Sequence, residues 1–105
     1  MRRAKVLMHG LPAGFLEEIK AGKKYRFAYL ESYNGPPISL TMPLEEKVFD
    51  FDRFPPFFDG LLPEGPLLEG LLKQCKIDRH DYFSQLVAVG NDLVGAVTVQ
   101  EEKKG

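Results

Sequence analysis

Apolar and polar positions change rhythm along this chain. In the first third the repeat is two residues. Lys24-Tyr25-Arg26-Phe27-Ala28-Tyr29-Leu30 sets Tyr25, Phe27 and Tyr29 on one face, which marks a half-buried strand. Ala4-Lys5-Val6-Leu7-Met8 is short and apolar and reads as an earlier strand, with His9-Gly10-Leu11-Pro12 as a turn cluster after it. Ala13 to Ile19 reads as the strand between them, closed by Lys20-Ala21-Gly22-Lys23. Links this short favour an antiparallel meander, because parallel pairing needs a long crossover.

The middle is punctuated by proline. All eight prolines lie between residues 12 and 66, with pairs at Pro36-Pro37 and Pro55-Pro56. Proline lacks a backbone donor, so Gly35 to Pro43 is expected to be extended, at a sheet edge or in a loop. Ile38-Ser39-Leu40-Thr41-Met42 alternates and is the candidate for a short edge strand. Phe49, Phe51, Phe54, Phe57 and Phe58 are too many aromatics for a solvated linker.

From Pro55 the spacing becomes helical. Phe57, Phe58, Leu61 and Leu62 form a first stripe, interrupted by Pro63-Glu64-Gly65-Pro66. Leu67, Leu68, Leu71, Leu72 and Cys75 form a second, with Pro66 suited to its first helical position. A third helix is predicted from Asp81 to Ala88. Asp81 is its N-cap, Tyr82, Phe83, Leu86 and Val87 form its inner face, and Gly90 is its stop. Asp92 to Val99 reads as a closing strand, and Gln100 to Gly105 as a charged, frayed tail. The pattern predicts an α+β fold: a small antiparallel sheet, made of a meander plus a C-terminal strand, with three short helices. One domain is expected over residues 1–100, followed by a tail at 101–105.

Composition narrows the function classes. At 105 residues and 44% hydrophobic, the chain has material for one core. A fold of this size buries roughly 60–70% of the surface its unfolded chain exposes. Lys plus Arg is 14 and Asp plus Glu is 15, a net charge of -1, which argues against a protein that itself grips phosphates. No apolar run approaches the length of a membrane span, and the N-terminus lacks the apolar stretch of a signal peptide. The single Cys excludes an internal disulfide and fits a reducing, cytoplasmic compartment.

Candidate chemistry is sparse. The glycines form neither G-x-G-x-x-G nor a phosphate loop, and the three serines, Ser32, Ser39 and Ser84, lie outside any G-x-S-x-G. Cys75, Asp78, His80 and Asp81 are close in sequence, but one Cys and one nearby His are too few for a metal site. A Cys75–His80 nucleophile pair needs an orienting third group. The bland reading is that Cys75 continues the leucine stripe as a small apolar residue while Asp78 and Asp81 turn and cap the backbone. The carboxylates Glu45, Glu46, Asp50 and Asp52 read as solvated charge. No enzyme, cofactor or metal is expected.

The unusual stretch is Leu61-Leu62-Pro63-Glu64-Gly65-Pro66-Leu67-Leu68, four leucines around a stiff turn. Either all four leucines face the core, or the turn projects one or two of them outward as a partner anchor, at low entropic cost because proline preorganises it. On the second reading the partner-binding residues are Pro63, Glu64, Gly65, Pro66 and Leu67. Pro66 and Leu67 are then the anchors and Glu64 a rim charge.

Phe57-Phe58-Asp59-Gly60-Leu61-Leu62-Pro63-Glu64-Gly65 closely resembles the F-F-D-N-L-L-P-E-G signature of the N-terminal domain of HipA-type kinases. Val6 to Leu16 is similar to that domain's opening hairpin, with Gly10 and Gly14 at its turn glycines. Pro37 to Leu44 resembles its I-S-L-S-L-P-L segment, and Phe83 to Val99 its closing helix, glycine and G-A-V strand. Gly60 departs from the usual Asn. In that family the domain precedes a much larger kinase region, and no nucleotide or catalytic loop follows Val99 here. The resemblance therefore implies a split, tripartite HipBST-type toxin–antitoxin system of bacteria. Its small HipS-like protein is the antitoxin, a HipT-type serine/threonine kinase is the toxin, and a HipB-type helix-turn-helix protein binds the DNA. The alternative is a HipA N-terminal domain expressed alone, a structural module docking its kinase and a HipB-type partner.

Overall fold

The computed structural model describes residues 1–93 and 95–102. Strands β1 (Arg2–Met8), β2 (Leu11–Lys20), β3 (Lys24–Tyr29) and β4 (Val48–Phe51) are followed by helices α1 (Pro56–Asp59), α2 (Gly65–Cys75) and α3 (Tyr82–Val89), and by β5 (Val97–Glu101). All five strands join one antiparallel sheet in the order β4-β3-β2-β1-β5. The α+β reading, with meander, closing strand and three helices, is what the chain adopts.

Local chemistry explains the meander. Met8 pairs with Leu11, so the β1–β2 turn is only His9-Gly10, both at positive φ as a tight twisted hairpin demands. Leu11 and Pro12, expected in the turn, are the first residues of β2. Gly14, expected at a turn, instead lies within β2, paired with Val6 and Tyr29. Alternation then divides the sheet. Val6, Leu16, Tyr25, Phe27 and Val99 are buried on the inner face, while Lys24 and Arg26 stay exposed.

The edge strand was placed wrongly by the alternation of 38–42. Those residues form a turn, with Met42 N–H donating to the Ser39 carbonyl at 3.0 Å. The Tyr29 hydroxyl donates to the Met42 carbonyl at 2.6 Å and accepts from Ile38 N–H at 3.0 Å, replacing ladder bonds with a side chain. Ile38 and Met42 are buried while Leu40 between them is 96% exposed, which no strand starting at Ile38 permits. The fourth strand is Val48–Phe51, where the sequence shows only that Phe49 and Phe51 are too aromatic for a solvated linker.

Helix α1 is a single turn, shorter than its apolar stripe, because Gly60 to Pro63 leads away from it. Helix α3 is capped as expected: the Asp81 carboxylate accepts from Ser84 N–H at 3.1 Å. Phe83 and Leu86 are buried on its inner side together with Gln85, whose amide donates to the Arg79 carbonyl at 2.9 Å. Gly90 follows because a Cβ there would lie 1.8 Å from the Val99 carbonyl oxygen. The closing strand begins later than the apolar pattern predicts and runs on through Gln100 and Glu101, which pair with Lys5 and Ala4. Glu102 N–H adds a bond to Arg3, so the start of the tail is docked and not frayed. Val94 and residues 103–105 of the expected strand and tail lie outside the described residues. Among the described residues no helix is long and apolar enough to cross a membrane.

Candidate partner-binding surface

The turn singled out in the sequence forms one corner of the molecule. Pro55 and Pro56 start α1, and Leu61 and Leu62 N–H groups donate to Phe58 and Asp59 carbonyls at 3.0 and 3.1 Å as the chain unwinds. Pro63 is half-buried, Glu64 is extended, and Gly65 sits at φ +60, where a side chain would strain the backbone. Pro66 then supplies a preset φ at the start of α2.

Helix α2 is held loosely. None of its side chains is fully buried: Leu68, Leu71 and Leu72 are half-buried, and Leu67 is 77% exposed. Its packing partner is α3, and Arg79 beyond its end pairs with Glu69 at 2.5 Å. The leucines of the turn divide accordingly. Leu61 and Leu62 lean on the core while Leu67 points away from it. Cys75 is exposed, so it does not extend the apolar stripe inward. Asp78 does turn the backbone, accepting from His80 N–H at 2.7 Å. No cluster of His, Cys, Asp or Glu able to hold a metal occurs among the described residues.

Of the five expected contact residues, Pro63 and Leu67 line one groove of about 370 Å³ together with Gly60, Leu61, Val89 and Leu93. Glu64, Gly65 and Pro66 are exposed beside it and do not line it. Val89 and Leu93 were missed as surface residues, because in sequence they read as ordinary apolar ends of a helix and a strand.

What positions this corner is the anchoring of α3 to the sheet. Arg2 donates to Glu18 Oε1 at 2.8 Å, to Asp81 Oδ1 at 2.8 Å and to Ser84 Oγ at 2.7 Å. Its guanidinium also lies 4.8 Å from the Phe83 ring centre. Glu18, 5% exposed, accepts from the Tyr25 hydroxyl at 3.1 Å with its other oxygen. Burial and then this hydrogen bond push the Tyr25 hydroxyl up to about 12. Burial alone would raise the Asp81 carboxyl, but hydrogen bonds from Arg2 and Ser84 outweigh it and hold Asp81 below the usual carboxylate range. The network ties β1, β2 and β3 to the start of α3, and α3 carries α2.

This geometry has known counterparts. The sequence profile of the HipA N-terminal domain family matches residues 4–100. The chain belongs to the HipA N-terminal domain family. An uncharacterized protein of Haemophilus influenzae (strain ATCC 51907 / DSM 11121 / KW20 / Rd) is 38% identical over 104 residues, spanning 99% of this chain and 96% of that protein. The putative kinase Y4dM of Sinorhizobium fredii (strain NBRC 101917 / NGR234) is 34% identical over 103 residues, spanning 90% of this chain but only 25% of the kinase. A solved N-terminal domain of HipA toxin superposes with a TM-score of 0.78 at 33% identity, covering 100% of this chain and 96% of that one. The HipA N-terminal domain is a non-catalytic module, and its family is linked to kinase toxins.

Proposed function

We propose that this protein is an antitoxin that binds a separate serine/threonine kinase toxin of the HipT or HipA type and holds it inactive. The observation that carries this reading is α2. An 11-residue helix with no buried side chain, led in by a proline-stiffened turn and presenting Leu67 at 77% exposure, is a surface built for a partner. A related region occupies a quarter of a putative kinase, so a kinase is the partner class that the comparisons favour. Pro63 and Leu67 would seat the contact from the groove side, Pro66 would stiffen the turn that Gly65 allows at positive φ, and Glu64 would sit at the rim. A helix-turn-helix partner of the HipB type would carry the DNA contact, since this chain has a net charge of -1. The system would act in the cytoplasm, where the kinase finds its ATP.

A second reading is favoured by the same kinase: its related region belongs to one polypeptide with the rest of that kinase. The present chain would then be the structural module of such a kinase, docking the catalytic region and a HipB-type protein. Affinity capture from the native lysate separates the two readings. The antitoxin reading expects a kinase that lacks its own region of this kind, and added protein should suppress that kinase's phosphorylation at equimolar amounts. Recovery of the chain joined to a kinase region decides for the module. Recovery of neither, with the protein folded, removes both.

A further inference from the structure

We propose that the open edge of β4 receives a sixth strand, an extended segment of a partner protein that alternates basic and apolar side chains. This goes beyond the kinase-binding reading and uses none of the residues of the Pro63–Leu67 turn.

The two edges of the sheet differ. On the β5 side, Val99 N–H donates to the Gly90 carbonyl at 3.0 Å, so the end of α3 closes that edge. On the β4 side, Tyr29 N–H donates to the Lys47 carbonyl at 2.9 Å, and this fixes which groups point inward. Alternation in an antiparallel ladder makes Phe27–Phe49 and Tyr25–Phe51 the bonded pairs. The N–H and C=O groups of Val48 and Asp50 therefore point away from β3, and no backbone bond to them occurs among the described residues. Such an edge is a template for another strand.

Side-chain chemistry on the two faces defines what that strand carries. A groove of about 410 Å³ runs along this edge, its apolar lining from Met42, Phe49, Phe51 and Phe57 and its acidic lining from Glu46 and Asp50. Every second side chain of an added strand would lie over it, and those are apolar. On the outer face the register aligns Arg3, Glu17, Arg26 and Asp50 in one row across four strands. Charge alternates along it, with Arg3 3.9 Å from Glu17 and Arg26 2.7 Å from Asp50. The row stops at the open edge on Asp50, whose side chain is 67% exposed. The next residue in the row is therefore basic, since directly opposed charges of opposite sign stabilise a ladder and like charges destabilise it. Glu45 and Glu46 are exposed and have no salt bridge among the described residues, which extends the acidic margin. A second copy of this chain is disfavoured, because its β4 would bring the same acids against these.

The test uses the intact protein and a capped hexapeptide, Lys-Val-Lys-Val-Lys-Val, followed by amide NMR shifts. Saturable shifts centred on residues 47–51 are expected at peptide concentrations up to about 1 mM. The Glu-Val counterpart should bind about tenfold more weakly, Asp50→Asn should weaken the Lys-Val peptide several-fold, and added salt should erode the difference. Backbone N-methylation of alternate peptide residues should abolish binding without touching the protein's own stability. Leu67→Asp should leave it unchanged, which keeps this surface distinct from the kinase contact. Shifts centred on the α2 corner, equal binding of the acidic or N-methylated peptide, or no saturable shift would overturn the proposal. Concentration-dependent shifts of 47–51 without peptide would overturn it in favour of a second copy.

Discussion

The sheet with α3 and the corner made by the α1–α2 turn with α2 are built on opposite terms. In the first, Phe27, Phe58, Phe83, Leu16 and Val6 are at zero exposure, and even the charged residue Glu18 is buried with both oxygens bonded. In the second, the leucine-rich helix α2 buries no side chain completely. Both regions carry many apolar residues, aromatic in the sheet and leucine at the corner. What differs is whether another element of the same chain lies opposite. The sheet finds α1, α3 and the 38–42 turn; α2 packs chiefly against α3. The buried core therefore lies in the sheet, while the corner keeps its leucines largely in water.

The hardest way to break the comparison is in the sheet. Phe27→Ala removes a ring packed against Tyr29 and Phe58 and is expected to cost about 3–5 kcal/mol in urea unfolding, a large part of a small domain's stability. Arg2→Ala leaves Glu18 buried without its cation and frees the start of α3. A loss of about 2–3 kcal/mol is expected, discounted because Arg2 is itself partly exposed, and the α2 amides should exchange faster in hydrogen-exchange measurements.

A smaller effect appears with pH. The native Asp81 carboxyl titrates below its ordinary value of 3.8, so its stabilisation is present above about pH 4 and is lost as pH falls through the native value. Asp81→Asn should cost about 1 kcal/mol at neutral pH and should flatten that part of the acid unfolding profile. An unchanged profile would mean that Asp81 does not anchor α3 electrostatically. The smallest effect on stability is expected from Leu67→Asp, within about 0.5 kcal/mol, because the side chain is already in water. The same variant should lose at least about tenfold in kinase binding, and Pro66→Arg should behave similarly. If either stays folded and inhibits undiminished, α2 is not the contact.

Particular residues show how far the sequence could be read. The alternation of Tyr25, Phe27 and Tyr29 gave β3, and Asp81 with Gly90 gave the ends of α3, because these signals depend on neighbours within a few residues. The 38–42 segment misled because its partner is a single hydroxyl, that of Tyr29, nine to thirteen residues away. Cys75 misled because a stripe predicts an apolar face but not whether anything covers it. Arg2 gave no signal at all: its partners are Glu18, Asp81 and Ser84, and only folding brings Arg2 to the start of α3.

By itself, the sequence determined the β1–β3 meander, helices α2 and α3, the stiffness of the Pro63–Pro66 turn and the resemblance that assigns the family, all of which are local patterns or direct residue matches. Only the tertiary structure decided which leucines are covered, which sheet edge stays open and where the charge row ends. Those follow from long-range pairing, which sets what lies opposite each side chain and so how much water it keeps.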